Sequence, residues 1–259
     1  MLVKKARETN PDATWAPLSK QHQVDCTYSG NRDSIMEEHG FKAWAIRNEG
    51  CWGGMMDWTF WFLKRYGAMY ESDYGEYTSG DSNTEGTCTH EDDKAVKIKD
   101  FMQLKSDPYL IRDELINHGP MSICISAGDK LFGYSSGVLE GDDSSWCDQW
   151  LNHAVALVGY TPGDTGSTKT ETFTQCRRRW KADFPQCRFS GESIWRDRYC
   201  CQDVEREVET SDGVWKIQNS WATDWGEEGF VRVKLSGGDG WCGMNTEAYT
   251  FSLPDAEDD

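Results

Sequence analysis

Helix-type and strand-type patterns occupy different halves of the chain, and this separation limits the possible folds most strongly. A short apolar helix is predicted at 55–66. A second helix is predicted to begin after Asp107, with Pro108 at its first position, and to end at Gly119. Later runs with β-branched or alternating residues predict strands at 121–126, 153–160, 214–221 and 230–235. The sequence therefore predicts an α+β chain of two lobes with a boundary near residue 107.

Size and composition exclude several classes of protein. The chain has 259 residues, which is enough for one large domain or two packed lobes. It contains no apolar run of the length that a transmembrane helix requires. Aromatic residues make up 13% of the chain, including thirteen tryptophans, and this content argues against disorder. The net charge of −17 repels phosphates, so nucleic-acid binding is disfavoured.

Ten cysteines indicate an oxidising compartment, because cytosolic enzymes seldom carry so many. The segment after Met1, LVKKARETN, has neither the apolar core nor the small-residue cleavage site of a signal peptide. These two observations conflict, and we therefore expect that Met1 is not the first residue of the natural chain.

Residues 162–213 are expected to form an insertion that folds by its own local logic. They separate two strands that would otherwise be close neighbours. Over 169–209 there are nine basic and eight acidic residues, a net charge of +1 in a chain of −17. The arginine-rich segment CRRRWKADFPQC is either a site for an anionic partner or a solvated face. The insertion cysteines are expected to pair among themselves; they are Cys176, Cys187, Cys200 and Cys201.

His153 and the segment Gln218-Asn219-Ser220-Trp221 carry the clearest chemical signal. An asparagine amide can accept a hydrogen bond from one imidazole nitrogen, which leaves the other nitrogen available to a thiol. An adjacent tryptophan can shield that hydrogen bond from water. The remaining partner would be a cysteine at a helix N-terminus, where the macrodipole lowers the thiol pKa.

Six ordered motifs resemble those of the papain-like cysteine peptidases: LSKQHQVDC (18–26), GCWGGMMDWTF (50–60), GPMSICISAG (119–128), NHAVALVGY (152–160), IQNSWATDWGEEGFVRV (217–233) and WCGMNTEAY (241–249). The resemblance implies a papain-like two-lobe fold, with a truncated helical left lobe at 1–107 and a β-barrel right lobe at 108–259. It implies peptide or protein substrates, and we expect no metal or other cofactor. His153 and Asn219 would be catalytic, and Trp221 and Trp225 would shield them.

The same resemblance implies disulfides Cys26–Cys88 and Cys147–Cys242, with Cys124 free and Cys51 either free or bonded to another chain. Glu247 would lie at the base of the second specificity pocket, which would then accept bulky apolar or basic side chains. The alternative is that Glu247 turns into solvent. The substrate-binding residues implied in total are Trp52, Gly53, Gly54, Met55, Met56, Cys124, Asn152, Ala154 and Glu247.

Two departures from the family pattern are informative. The sequence contains no QxxCGSCW motif, so the expected nucleophilic cysteine and oxyanion-hole glutamine are both missing. Two readings follow: a peptidase whose nucleophile lies in a missing N-terminal segment or a separate chain, or an inactive homologue that serves as a binding or structural subunit. The expected location is lysosomal, vacuolar or secreted.

Ala222 and Asp224 replace loop glycines, which would strain the backbone wherever φ is positive.

Overall fold

The computed structural model describes residues 16–28, 48–163, 168–178, 199–209 and 213–254, with 168–178 and 199–209 described by their backbone alone. The chain forms two compact units. One comprises Met1–Tyr160 with Val214–Asp259, and the other comprises Thr161–Gly213.

The described helices are α1 (Lys20–Thr27), α2 (Met56–Arg65), α3 (Glu71–Tyr74), α4 (Ser79–Ser82) and α5 (Pro108–His118). Both helices expected from the sequence, α2 and α5, are confirmed. The carboxylate of Asp107 caps α5 by accepting hydrogen bonds from the backbone N–H groups of Tyr109 and Leu110. None of the described helices combines the length and apolar character needed to span a membrane.

Helix α1 is not among the helices that the sequence pattern predicts. The Ser19 side chain caps it by accepting from the backbone N–H of His22. Most of its buried residues are polar and are held by side-chain hydrogen bonds; Gln21 Nε2, for example, donates to Asp25 Oδ1 at 2.8 Å. A helix buried by polar contacts has no apolar stripe, and the pattern analysis therefore missed it.

The described strands are β1 (Ala68–Met69), β2 (Ala95–Val96), β3 (Asp100–Gln103), β4 (Met121–Ile125), β5 (Val138–Leu139), β6 (His153–Thr161), β7 (Thr168–Arg178), β8 (Tyr199–Glu209), β9 (Val214–Gln218), β10 (Phe230–Lys234) and β11 (Ala248–Ser252). Seven of them form one sheet in the order β3-β11-β4-β6-β9-β10-β5. Two short pairs stand apart, β1 with β2 and β7 with β8.

The β-barrel expected for the right lobe is wrong: the seven-stranded sheet is open. Its edge strands are β3 and β5, which are not paired with each other. Closure would require these edges to share a hydrogen-bonded ladder. Strand β5 has only two residues, and they already pair with β10 at Val138↔Arg232 and Leu139↔Val233. So short an edge offers little backbone for a further ladder.

A large apolar core packs against the central strands of this sheet and fixes their positions, and a smaller cluster around Phe60 packs against β3 and β11. Alternate residues of β9, Trp215 and Ile217, are fully buried, as are Ile123 of β4 and Leu157 of β6. The side chains of α2 pack on the sheet through Phe60, which stacks on the rings of β3 and β11. Since β6 and β9 are neighbours within this packed sheet, their ends have little freedom to separate.

Candidate active site

The structure brings His153 and Asn219 into direct contact. His153 is the first residue of β6, and Asn219 follows the last residue of the neighbouring β9. The backbone N–H of Asn219 is held by Gly229 O at 2.9 Å. His153 Nε2 lies 2.7 Å from Asn219 Oδ1. The two side chains therefore meet because adjacent strands of one rigid sheet end beside each other.

The hydrogen bonds around Asn219 determine the imidazole tautomer. The backbone N–H of Ser220 donates to Asn219 Oδ1 at 2.8 Å, which identifies that atom as the amide oxygen. An amide oxygen only accepts, so His153 Nε2 must carry the hydrogen in the bond between them. The other ring nitrogen, Nδ1, then has a free lone pair in the neutral ring. This arrangement suits a base that takes a proton through Nδ1.

A cluster of three aromatic rings lies on one side of the imidazole, in contact with it through Trp221. Trp221 stacks on His153 with ring centroids 5.1 Å apart. Phe132 stacks on Trp221 at 4.4 Å, with only 7° between the ring planes. Trp225 meets Trp221 edge-on at 5.2 Å and donates its indole N–H to Leu131 O. The two expected tryptophans are thus beside the site, whereas Phe132 was missed because a lone ring in a short turn has no periodic signal.

The loop that follows Asn219 contains Ala222 and Asp224, the two residues that stand where the family pattern has glycine. Ala222 has φ of 65°, in the left-handed region that glycine adopts at little cost. Asp224 is not among the described residues with positive φ. Gly229, with φ of 87°, lies so close to this loop that a β-carbon there would be 3.1 Å from Ala222 O. The expected strain therefore falls on Ala222 alone.

Several of the expected pocket residues lie together at β4 and β6. Cys124 of β4 is directly opposite Ala154 of β6. The backbone N–H of Cys124 donates to Glu247 O at 3.0 Å. The Ser122 hydroxyl contacts the sulfur of Met56, which brings the start of α2 to the same strand. The structure thus groups Met56, Cys124, Ala154 and Glu247 in one region.

The carboxylate of Glu247 also acts on this region. Burial raises the pKa of the Cys124 thiol, and the charge of Glu247 raises it further. Burial, together with the charges of Asp57 and Glu247, raises the pKa of Tyr249 to about 12. Asp57 and Tyr249 were not expected here. The sequence could have indicated both residues: Asp57 directly follows Met56 in α2, and Tyr249 in β11 is two residues after Glu247.

The remaining residues expected to bind substrate differ in what holds them. Trp52 and Met55 are exposed, and Gly53 has φ of 109°. The Asn48 amide oxygen accepts from the backbone N–H of Met55 at 2.9 Å, a role that was not anticipated.

Asn152 uses its amide on the backbone of its own lobe. Its Oδ1 accepts from the N–H of Ala127 at 2.8 Å, and its Nδ2 donates to Ala127 O at 3.2 Å. These two bonds anchor Asn152, the residue directly before His153, to the backbone of Ala127.

Both expected disulfides are present, Cys26–Cys88 and Cys147–Cys242, and Cys51 and Cys124 are free. Burial is the main cause that raises the pKa of Cys51 as well as that of Cys124, so neither is activated as a thiolate. Within the described ranges, neither free sulfur is hydrogen-bonded to the His153 imidazole. The side chains of the insertion cysteines lie outside the described residues.

A cavity of about 400 Å³ lies beside the Cys147–Cys242 disulfide. Its lining includes the acidic residues Asp142, Asp143 and Asp239, but neither His153 nor Asn219. The imidazole site is therefore separate from this cavity.

Comparisons with known proteins agree with this arrangement. The model of the papain family cysteine proteases matches residues 4–191 and 199–252. Vignain of Vigna mungo is 28% identical over 232 residues, which cover 88% of this chain and 45% of that protein. Cysteine protease 1 of Oryza sativa subsp. japonica is also 28% identical and is covered to 34%. The chain thus spans between a third and a half of these curated relatives.

Solved structures agree in fold. Procathepsin L 3 from the larval midgut of Tenebrio molitor superposes with a TM-score of 0.60 at 23% identity, covering 96% of this chain and 59% of that one. Bromelain protease from Ananas comosus, in complex with the E64 inhibitor, gives 0.56 at 20% identity, covering 94% and 81%. By the family match and the shared α+β two-lobe fold, the chain belongs to the papain family of cysteine proteases.

Proposed function

We propose that this chain supplies the histidine and asparagine of a Cys-His-Asn site that hydrolyses peptide bonds. The observation that carries the proposal is the 2.7 Å contact between His153 Nε2 and Asn219 Oδ1, with Trp221 stacked on the imidazole. The thiol nucleophile and the oxyanion-hole glutamine would come from residues beyond these 259, in a preceding segment or a separate chain.

The chemistry then follows from the tautomer. Nδ1 of His153 takes the proton of the thiol, and the thiolate attacks the carbonyl carbon of the scissile bond. The imidazolium returns that proton to the departing amine, leaving a thioester, which water hydrolyses with His153 again as the base. Asn219 positions the ring and accepts from Nε2–H throughout. Trp221 covers the ring and limits competition from water for that hydrogen bond.

For the substrate, we propose a second specificity pocket walled by Met55, Met56, Cys124 and Ala154, with Glu247 at its base. Trp52, Gly53, Gly54 and Asn152 would flank the bound peptide. The grouping of Met56, Cys124, Ala154 and Glu247 supports this pocket. Apolar walls favour a bulky side chain, and the carboxylate favours arginine or lysine, which would neutralise a partly buried charge. The effect of Glu247 on the pKa of Cys124 and Tyr249 supports an inward carboxylate.

The proposal also extends to lobes and compartment. The helical lobe would comprise 1–107 and the sheet lobe 108–259, with 162–213 as an insertion. The two disulfides support a lysosomal, vacuolar or secreted location, where the oxidised form persists.

The test is to treat the native protein with a thiol-reactive epoxysuccinyl peptide, then determine its intact mass and N-terminal sequence. The expected product is a single labelled cysteine that is not one of the ten in this sequence. Labelling should be lost in His153→Ala and strongly slowed in Asn219→Ala. His118→Ala is the matched control, because that imidazole pairs with Glu114 on α5 and not with Asn219.

A native protein that consists of these residues alone, has no companion chain and resists labelling would contradict the proposal. It would favour the inactive homologue. If this chain alone hydrolysed peptides in a manner dependent on His153, the nucleophile would lie within it, and that part of the proposal would be wrong.

A further inference from the structure

The register of the insertion ribbon, formed by β7 and β8, separates two cysteines that are adjacent in the sequence. The strands pair antiparallel from Thr168↔Glu209 to Arg178↔Tyr199. In this register Cys176 lies directly opposite Cys201, whereas Cys200 lies opposite Arg177. Each cysteine of the adjacent pair therefore has a different cross-strand neighbour.

Ladder geometry makes only one of these pairings suitable for a disulfide. Directly opposed positions of antiparallel strands have Cα atoms about 4.5–5.5 Å apart, within the range of about 4.4–6.8 Å that disulfides span. Successive positions of a strand alternate between the two faces. Position 200 is therefore on the face opposite to that of 176, while positions 176 and 201 share a face.

A covalent link between the two strands would stabilise the ribbon. It is a two-stranded sheet of its own, and such sheets are only marginally stable in water. The face shared by Cys176 and Cys201 also carries acidic residues at every second position of β8, and their like charges repel. The register pairs each of these acids with a threonine: Thr174↔Asp203, Thr172↔Glu205, Thr170↔Glu207 and Thr168↔Glu209.

We propose that Cys176 and Cys201 form a disulfide across this ribbon. The oxidant is a disulfide carrier, an oxidised dithiol protein or oxidised glutathione. One cysteine thiolate attacks the carrier disulfide and forms a mixed disulfide. The second thiolate then attacks the sulfur of the first cysteine in that mixed disulfide. The S–S bond within the chain forms, and the carrier leaves as two thiols. The two electrons and two protons lost by the cysteines are those gained by the carrier.

The test is peptide mapping of the full chain without reduction, after free thiols are blocked with N-ethylmaleimide at acid pH. Trypsin places Cys176 in one peptide, Cys187 in a second, and both Cys200 and Cys201 in a third. Electron-transfer fragmentation of the cross-linked species identifies which adjacent cysteine carries the link, and it needs no variant. Cys200→Ser and Cys201→Ser form a matched pair that differs by one position.

We expect the wild-type Cys176 peptide to be linked to the third peptide through Cys201. That link should persist in Cys200→Ser and be lost in Cys201→Ser. Three results would overturn the proposal: a link from Cys176 to Cys187 or Cys200, a bond between Cys200 and Cys201, or a Cys176 thiol blocked by N-ethylmaleimide.

Discussion

His22 Nε2 lies 2.9 Å from His90 Nδ1, and both rings are buried within the helical lobe. The rings stack with centroids 5.2 Å apart, and the edge of Tyr74 meets His22 at 4.9 Å. Burial, together with the neighbouring His90, lowers the pKa of His22 to about 3. Burial and the neighbouring ring therefore oppose the protonation of His22.

This pair should make the fold sensitive to acid. The folded pKa of His22 is below the unfolded value, so the unfolded chain binds more protons and stability falls as pH drops from about 6.5 towards 3. We expect roughly 2 kcal/mol of unfolding free energy to be lost between pH 6.5 and 5 through this residue. His22→Gln should remove that part of the slope in urea unfolding. Gln149→Ala, which changes an exposed side chain that does not titrate, is the control and should leave the slope unchanged.

Ala222→Gly should stabilise the protein by about 1 kcal/mol, because glycine adopts the left-handed backbone of this position without strain. Glu228→Gly should act in the same direction, since its φ is 56°. Both are measured by chemical unfolding of the full chain. Ala95→Gly, in the extended backbone of β2, is the control and should be destabilising. A loss of stability in Ala222→Gly would mean that the methyl group stabilises the loop by more than its strain.

Removal of either disulfide should destabilise the chain by a similar amount. Cys26–Cys88 and Cys147–Cys242 close loops of 62 and 95 residues in sequence separation. In the chain-entropy model each contributes about 4 kcal/mol. The double Cys→Ser variant of each pair is compared with wild type in denaturant unfolding. Cys51→Ser controls for the loss of a sulfur atom, and it should change stability little because that cysteine is free.

Glu247→Gln should reduce the preference for arginine over leucine at the second position before the scissile bond by about tenfold, which is the value of one charge-assisted hydrogen bond. The ratio of kcat/KM for two peptides that differ only there is measured on the complete enzyme. Glu227→Gln is the control, because that carboxylate is bonded to Arg232 and to the backbone of Gly137, neither of which belongs to the proposed pocket. An unchanged ratio in Glu247→Gln would show that the carboxylate does not contact the substrate.

The sequence predicts the parts of the fold that depend on local pattern. Helix α5 follows from Asp107 and Pro108, and strands such as β4 follow from alternating burial along MSICI. Helix α1 could not be predicted in this way, because its buried contacts are polar and come from residues far away, such as the bond from Gln21 Nε2 to Ser79 Oγ.

The candidate site shows the same division. The residue types of His153 and Asn219 point to their chemistry, and the motifs identify their neighbours. Phe132 could not be placed by motif, because it reaches the site only by stacking on Trp221, which is distant in the sequence. The open edge of the sheet was also unpredictable, because strand pairing at an edge depends on the length of β5.

The insertion connects β6 to β9, which are neighbours in one sheet. The spacing of those strands is set by their own ladder and by the core beneath, so it does not depend on how many residues connect them. The entropic cost of a longer connection grows only with the logarithm of its length. This junction is therefore a place where evolution, or an engineer, can exchange whole segments while the distance between His153 and Asn219 stays constant.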